Sequence, residues 1–392
     1  MRKKRILLLS EGFGTGHTRA AYGLAEGMKK LYPDIQTRVI ELGNFLNPTV
    51  GPLILSAYRK TVSVQPRLVG MLYRKQYSKS LNGLTQLALH RIFYTHAAQV
   101  IRQLRPDVII CTHPFPNVVV SRLKRHGLEV PLYTLITDYD AHGTWINPEV
   151  NQYLVSTPKV SSLLRSRGVH SDRIQVTGIP VHPEFWESCD PGEIRRQFSL
   201  KAMPTALIMG GGWGLLFKEE IMNKIAAWSD KIQLIFCMGS NVKLVQKLQD
   251  NPRFRHPNIH ILGYTPEISK LMDVSDLLVT KPGGMTCTEA MAKGIPMLFA
   301  PAIPGQEEEN CEYFVQNGFG EVMHSEEVVE RWFNQLSSQY KQLEQQRPLR
   351  SMLAGHHRYN PEICCRTVAE LLSHTVNERP LIAAGRDMSP AT

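Results

Sequence analysis

The stretch LLLSEGFGTGHTRAA, Leu7 to Ala21, decides how the rest of the chain is read. An apolar run over Ile6–Leu9 leads into three alternate glycines, Gly12, Gly14 and Gly16, and then His17. Behind them Ala20, Ala21, Leu24, Ala25 and Met28 recur at helical spacing. Strand, glycine loop and helix in that order open a parallel α/β sheet. The loop does not complete the dinucleotide fingerprint, because His17 stands where the third glycine belongs, and no Gly-Lys-Ser/Thr of a Walker loop follows. What it offers is a histidine at a helix N-terminus. The partial positive charge there disfavours imidazolium, so a neutral ring is expected, able to take a proton from a hydroxyl. A histidine that only bonds a loop carbonyl is the equal alternative.

The strand–helix alternation continues outward. Apolar runs at Thr37–Leu42, Val108–Cys111, Leu132–Thr137 and Tyr153–Ser156 extend the first block. Gly178-Ile-Pro-Val-His-Pro183 breaks any regular element and reads as a hinge. A second block restarts at Thr205–Met209 and continues at Gln233–Met238, Ile259–Leu262, Leu277–Thr280 and Met297–Ala300. The spacing predicts two doubly wound α/β domains, residues 1–180 and 181–373, facing across a cleft, with a loose tail over 374–392. Ligands in such sheets sit at the carboxyl ends of the strands.

Composition bounds the setting. No run of about 18 apolar residues exists to span a bilayer. The basic Met1–Arg5 precedes only a short apolar run, too short for a signal-peptide core. Seven cysteines without a CxxC pair imply reduced thiols in a cytosol. The net charge of +10 is uneven: residues 1–180 hold 24 Lys+Arg against 10 Asp+Glu, and the remainder 21 against 25. From Leu42 to Pro106 there are nine Lys/Arg and no acid. This segment, about 43–105, reads as a helical insertion in which Arg59, Lys60, Arg67, Arg74, Lys75 and Lys79 mingle with apolar and aromatic residues. Such a composition suits helices lying on an anionic membrane surface. A helix pair with a solvated basic face is the alternative; nucleic acid is not expected, since no nucleic-acid motif accompanies the charge.

Two further glycine loops carry chemistry. Met209-Gly-Gly-Gly-Trp-Gly214 follows a strand, and the backbone at Gly211 and Gly212 could approach a diphosphate closely. In Thr280-Lys-Pro-Gly-Gly-Met-Thr-Cys-Thr-Glu-Ala290, Lys281-Pro282 ends a strand and Gly283-Gly284 turns the chain. Thr286 or Thr288 is expected to cap a helix running through Ala292. The free N–H groups at that helix end suit a diphosphate, and Glu289, one turn in, suits two ribose hydroxyls. Such a site needs no metal. Gln306 and Glu307, after the turn at Pro304-Gly305, could hold sugar hydroxyls or simply form an acidic surface loop. Thr137-Asp-Tyr-Asp140 imitates the DxD motif of metal-dependent transferases, but Asp138, His142 and Trp145 are better placed on the acceptor side, where Trp145 either stacks on a sugar or packs in the core.

The pieces GTGH at 14–17, TDYDAHGTW at 137–145, GIPVHPEF at 178–185, GGGWG at 210–214, KPGGMTCTEA at 281–290 and PAIPGQEEEN at 301–310 occur in one order. Together they resemble the inverting glycosyltransferases of the GT-B fold, two Rossmann-like domains, that make glycosyldiacylglycerols. These are the bacterial processive diacylglycerol β-glucosyltransferases and the plant monogalactosyldiacylglycerol synthases. The resemblance implies His17 as base, aided by Asp138. It implies Gly283, Gly284, Met285 and Thr286 on the diphosphate, Glu289 on the ribose, and Gln306 and Glu307 on the donor sugar. Gly239, Asn241 and Tyr264 would border the uridine, with Gly16, Gly211, Gly212, Lys281, Pro282, Thr288 and Asn310 completing the UDP-sugar site. The basic insertion would dock on the membrane. The opening GFGTGH is less glycine-rich than the run of glycines the family usually carries before its histidine. The implied reaction moves glucose from UDP-glucose to diacylglycerol, once or repeatedly, without cofactor or metal, on the cytoplasmic face of the cell membrane. UDP-galactose as donor, N-acetylglucosamine transfer to a lipid-linked cell-wall precursor, and a non-catalytic UDP-sugar sensor are the alternatives.

Overall fold

Alternate residues of β1 (Lys4–Ser10) enter different cores: Ile6 and Leu8 one, Leu7 and Leu9 another. A strand apolar on both faces belongs inside a parallel sheet with helices on each side. β7 (Thr205–Met209) repeats the pattern, with Leu207 and Met209 on one face and Ala206 and Ile208 on the other. The computed structural model describes residues 2–49, 51, 96–211, 219–302, 305–342, 345 and 359–377.

Two parallel six-stranded sheets result. The first has the order β2 (Ile35–Glu41), β1, β3 (Val108–Cys111), β4 (Leu132–Leu135), β5 (Gln152–Val155) and β6 (Ile174–Val176), with Leu8 opposite Ile110. The second runs β12 (Gly320–Val322), β11 (Met297–Phe299), β10 (Leu277–Thr280), β7, β8 (Gln233–Cys237) and β9 (Ile259–Leu262). Strand order reverses between β1 and β3, and again between β7 and β10. Crevices at such reversals hold the ligands of doubly wound sheets. The loops that open there are the glycine-rich ones: after β1, after β7 and after β10. The ten strands read from the sequence are present, with ends shifted by a residue or two. β6 and β12, three residues each at sheet edges, are additional.

One hydrophobic core spans both units, joining Leu24 and Met28 of helix α1 (Thr15–Leu31) to Leu207, Met285 and Phe314. The C-terminal helix, Ile363–Asn377, packs on α1 rather than on the second sheet, so residues assigned by sequence to the second domain return to the first. It also runs past residue 374, where a loose tail was expected. A Cβ on Gly27 would lie 2.5 Å from Cys365 Sγ and 3.0 Å from the Trp186 ring, so glycine lets this helix dock. Cys364 and Cys365 are core residues there. The linker between the units is pinned by a buried ion pair. Lys293 Nζ lies 2.8 Å from Asp273 and donates to the Glu187 carbonyl, while Asp273 accepts the Cys189 N–H.

Candidate active site

His17 occupies the first turn of α1, whose N-terminal Gly14 provides no side-chain cap. Its Nδ1 lies 3.0 Å from the Thr112 carbonyl at the end of β3 and 2.6 Å from Thr137 Oγ1 after β4. A carbonyl oxygen only accepts, so Nδ1 carries the proton and Nε2 presents its lone pair. His113 stands edge-on to the ring at 4.7 Å, and Trp145 lies at 6.1 Å. This enclosure lowers the His17 pKa to about 4, opposed by the bond to Thr112. The ring is neutral, as expected from the sequence. The dominant cause is desolvation rather than the helix terminus.

His113 is a residue the sequence reading passed over. It caps the helix Pro114–Arg125, its Nδ1 accepting the Phe115 N–H at 3.2 Å. Burial, with His17 beside it, holds it neutral too. Phe13 stacks on His113 at 5.6 Å and meets Phe115 edge-on at 5.3 Å. An aromatic wall of Phe13, His113, Phe115 and Trp145 therefore borders His17. The only signal for it in the sequence was that Thr112-His113 directly follows β3, beside the strand-order reversal. Trp145 is 2% exposed, so it packs in the core. His142 instead caps the turn Gly143–Trp145 through the Thr144 N–H.

The second sheet brings the helix Gly284–Ala292 to face this loop. Its N-cap, Gly283, offers no side-chain cap. Thr288, expected as a cap, instead donates to the Gly284 carbonyl at 2.6 Å and meets the Tyr139 hydroxyl at 2.7 Å. Thr286 likewise does not cap the helix, so the first-turn N–H groups are open to an anion. Gly16 contacts Met285: a Cβ there would lie 3.5 Å from Met285 Cγ. A Cβ on Gly284 would lie 2.7 Å from the Thr137 carbonyl, so only glycine allows this approach. Thr137 thus touches both His17 and the open helix end at Gly284.

Other candidates are brought to the cleft but hold protein partners. Asp138 hydrogen-bonds with Gln306 and Asn310 of the helix Gln306–Gln316, and Asn310 accepts the Tyr139 N–H at 2.8 Å. Burial raises the Asp138 pKa to about 6. Lys281 Nζ lies 2.5 Å from Glu307, beside Gly211. Gln306 and Glu307, expected on sugar hydroxyls, are therefore engaged by Asp138 and Lys281. Glu289 is buried and paired with Arg19 of α1 at 2.5 Å. Pro282 is buried at the end of β10. Gly239 follows β8, Asn241 caps the helix Val242–Asp250 through the Leu244 N–H, and Tyr264 is 79% exposed. Gly212 and the insertion residues Arg59, Lys60, Arg67, Arg74, Lys75 and Lys79 lie outside the described residues. Among those described, no helix is long and apolar enough to cross a membrane.

Residues 17–181 match the family described as monogalactosyldiacylglycerol (MGDG) synthase, and residues 205–359 the glycosyltransferase family 28 C-terminal domain. The processive diacylglycerol β-glucosyltransferase of Bacillus subtilis (strain 168) is 31% identical over 332 residues, 83% of this chain and 85% of that protein. Among solved structures, Anabaena HepE in complex with UDP superposes with a TM-score of 0.59 at 15% identity, covering 94% of this chain and all of that one. Acinetobacter baumannii MurG gives 0.57 at 15% identity, covering 95% and 99%. These two share the two-sheet GT-B fold. The chain is a glycosyltransferase and belongs to the glycosyldiacylglycerol-forming family that holds the MGDG synthases and the processive diacylglycerol β-glucosyltransferases.

Proposed function

We propose that this glycosyltransferase moves glucose from UDP-glucose to the free hydroxyl of diacylglycerol, with inversion at the anomeric carbon. The observation that carries this reading is the fixed tautomer of His17. With Nδ1 held by Thr112, Nε2 is free to act as base, and the open helix end at Gly283–Thr286 faces it across the cleft. The acceptor oxygen attacks the anomeric carbon as Nε2 removes its proton. The bond from that carbon to the β-phosphate oxygen breaks with its electron pair, and UDP leaves. The helix N-terminus stabilises the charge that develops on the diphosphate, so no metal is needed there. The aromatic wall of Phe13, His113 and Phe115 suits an acceptor whose hydroxyl sits next to acyl chains. The basic insertion would hold this unit on an anionic cytoplasmic membrane surface. Because the product keeps a sugar hydroxyl at that surface, repeated transfer follows from the same geometry.

Incubation with dioleoylglycerol vesicles and UDP-glucose, UDP-galactose or UDP-N-acetylglucosamine separately tests the reading. The expected product is a β-glucosyldiacylglycerol, identified by mass and by its anomeric proton coupling. Transfer of galactose alone would overturn the donor assignment. Transfer only to a lipid pyrophosphate would overturn the acceptor assignment, and UDP-sugar binding without turnover under every condition would leave the sensor reading.

A further inference from the structure

Arg19 lies on α1 two residues beyond His17, yet it reaches out of its own unit. Its Nη2 is 2.5 Å from Oε1 of Glu289, on the helix of the opposite unit. The Glu289 side chain is 2% exposed, and its Oε2 has no hydrogen-bond partner among the described residues. A buried carboxylate with one oxygen on a guanidinium and the other unpaired is an acceptor site half filled. Leaving such an atom unpaired is costly, so a donor brought in by a ligand would be favoured there.

We propose that Arg19 is a positioning residue of the donor site: from the acceptor-side unit it holds Oε1 of Glu289 and so orients Oε2 to accept from the ribose diol of the UDP-sugar. The inference rests on the reading that the donor's ribose sits at Glu289. Its consequence is a coupling between the two halves of the cleft. The cation that readies the nucleotide site comes from the helix that carries the base, so donor affinity depends on closure.

The surroundings make the coupling titratable. Burial raises the Glu289 pKa to about 7, Arg19 opposes the rise, and Glu184 of the turn Pro183–Phe185 adds to it. The other titratable groups facing it are Cys287 on its own helix and Tyr359 before the C-terminal helix. Burial pushes both well up, so they stay neutral. Arg19 holds Oε1, so a proton taken up by Glu289 sits on Oε2, the atom that is to accept from the ribose. Donor binding therefore weakens as pH falls through the Glu289 pKa.

Calorimetric titration with UDP-glucose from pH 5.5 to pH 9 tests this, since that donor's phosphodiester groups do not ionise in the range. The wild-type affinity is expected to rise with pH and level off above about 7. In Arg19→Gln the midpoint moves upward by about one pH unit or more, the usual effect of an adjacent guanidinium, and affinity at pH 7 falls about tenfold. Arg19→Lys, which keeps the charge, restores the midpoint while losing part of the affinity. It also serves as the test should Arg19→Gln fail to fold. Coincident pH profiles for wild type, Arg19→Gln and Arg19→Lys, with Glu289→Gln still weakened, would overturn the role of Arg19 alone. An unchanged affinity in Glu289→Gln would overturn the ribose assignment itself.

Discussion

Gly284→Ala isolates the approach of the two units. The added Cβ would stand 2.7 Å from the Thr137 carbonyl, 3.4 Å from Asp138 Oδ1 and 3.6 Å from Asn310 Nδ2. The first contact is with backbone, which cannot swing aside, so the cleft must open by several tenths of an ångström. Two effects act on different steps. Alanine is the better helix former, by up to ~1 kcal/mol, with the units together or apart, so this gain leaves the cost of closure unchanged. Overpacking against a fixed atom costs about 1–3 kcal/mol, and opening the cleft relieves it, so it falls on closure alone. A cost of about 1–3 kcal/mol on closure lowers kcat/KM roughly 5- to 150-fold, while each unit keeps its fold. The assay is initial-rate glucosylation of diacylglycerol in vesicles, paired with a thermal melt. Wild-type kinetics in Gly284→Ala would refute the tight contact as a feature of the working enzyme. A large drop in melting temperature alongside the lost activity would refute the claim that the clash acts on closure and not on folding.

Asp138 is an acid whose pKa is raised, so its ionisation opposes folding. The contribution of Asp138 to stability is greatest below its unfolded value of 3.8 and is lost as pH climbs through about 6. Asp138→Asn buries no charge, and it should be more stable than wild type at pH 8 by roughly 2–3 kcal/mol, with the gap closing near pH 4. Melts at both pH values check this; an equal gap at both would contradict it. Lys293→Met strands Asp273 as a lone buried charge beside the linker, and the expected loss is about 3–5 kcal/mol in urea unfolding. Adding Asp273→Leu should recover more than half of that loss, and no recovery would show that the linker contacts rather than the charge set the cost.

Much of this architecture was written locally. KPGGMTCTEA reads as strand end, turn and open helix, and those elements are present, although neither Thr286 nor Thr288 caps the helix as expected. GTGH puts a histidine at a strand's carboxyl end, and the neighbouring switch point makes that a functional position. What was not legible depends on atoms brought together from far apart. The Thr112 carbonyl sets the tautomer of His17 from 95 residues away, through a backbone group that any residue would supply. Gly284 reads as a turn glycine, but its necessity comes from Thr137 on the other unit. Nothing in the sequence around Arg19 points to Glu289, its partner on the other unit. The amphipathic pattern of Ile363–Asn377 predicts a helix without naming the face it covers. The edge strands β6 and β12 are too short for a period-two pattern to register.

In the proposed mechanism His17 removes the acceptor's proton while the opposite helix end holds the diphosphate. His17→Ala separates these two roles in one sample. Turnover measured with saturating UDP-glucose and diacylglycerol vesicles is expected to fall at least ~10²-fold, the scale of a lost general base, with the UDP dissociation constant within about twofold of wild type. Near-normal turnover in this variant would contradict the account, and so would a loss of UDP binding that tracks the loss of rate.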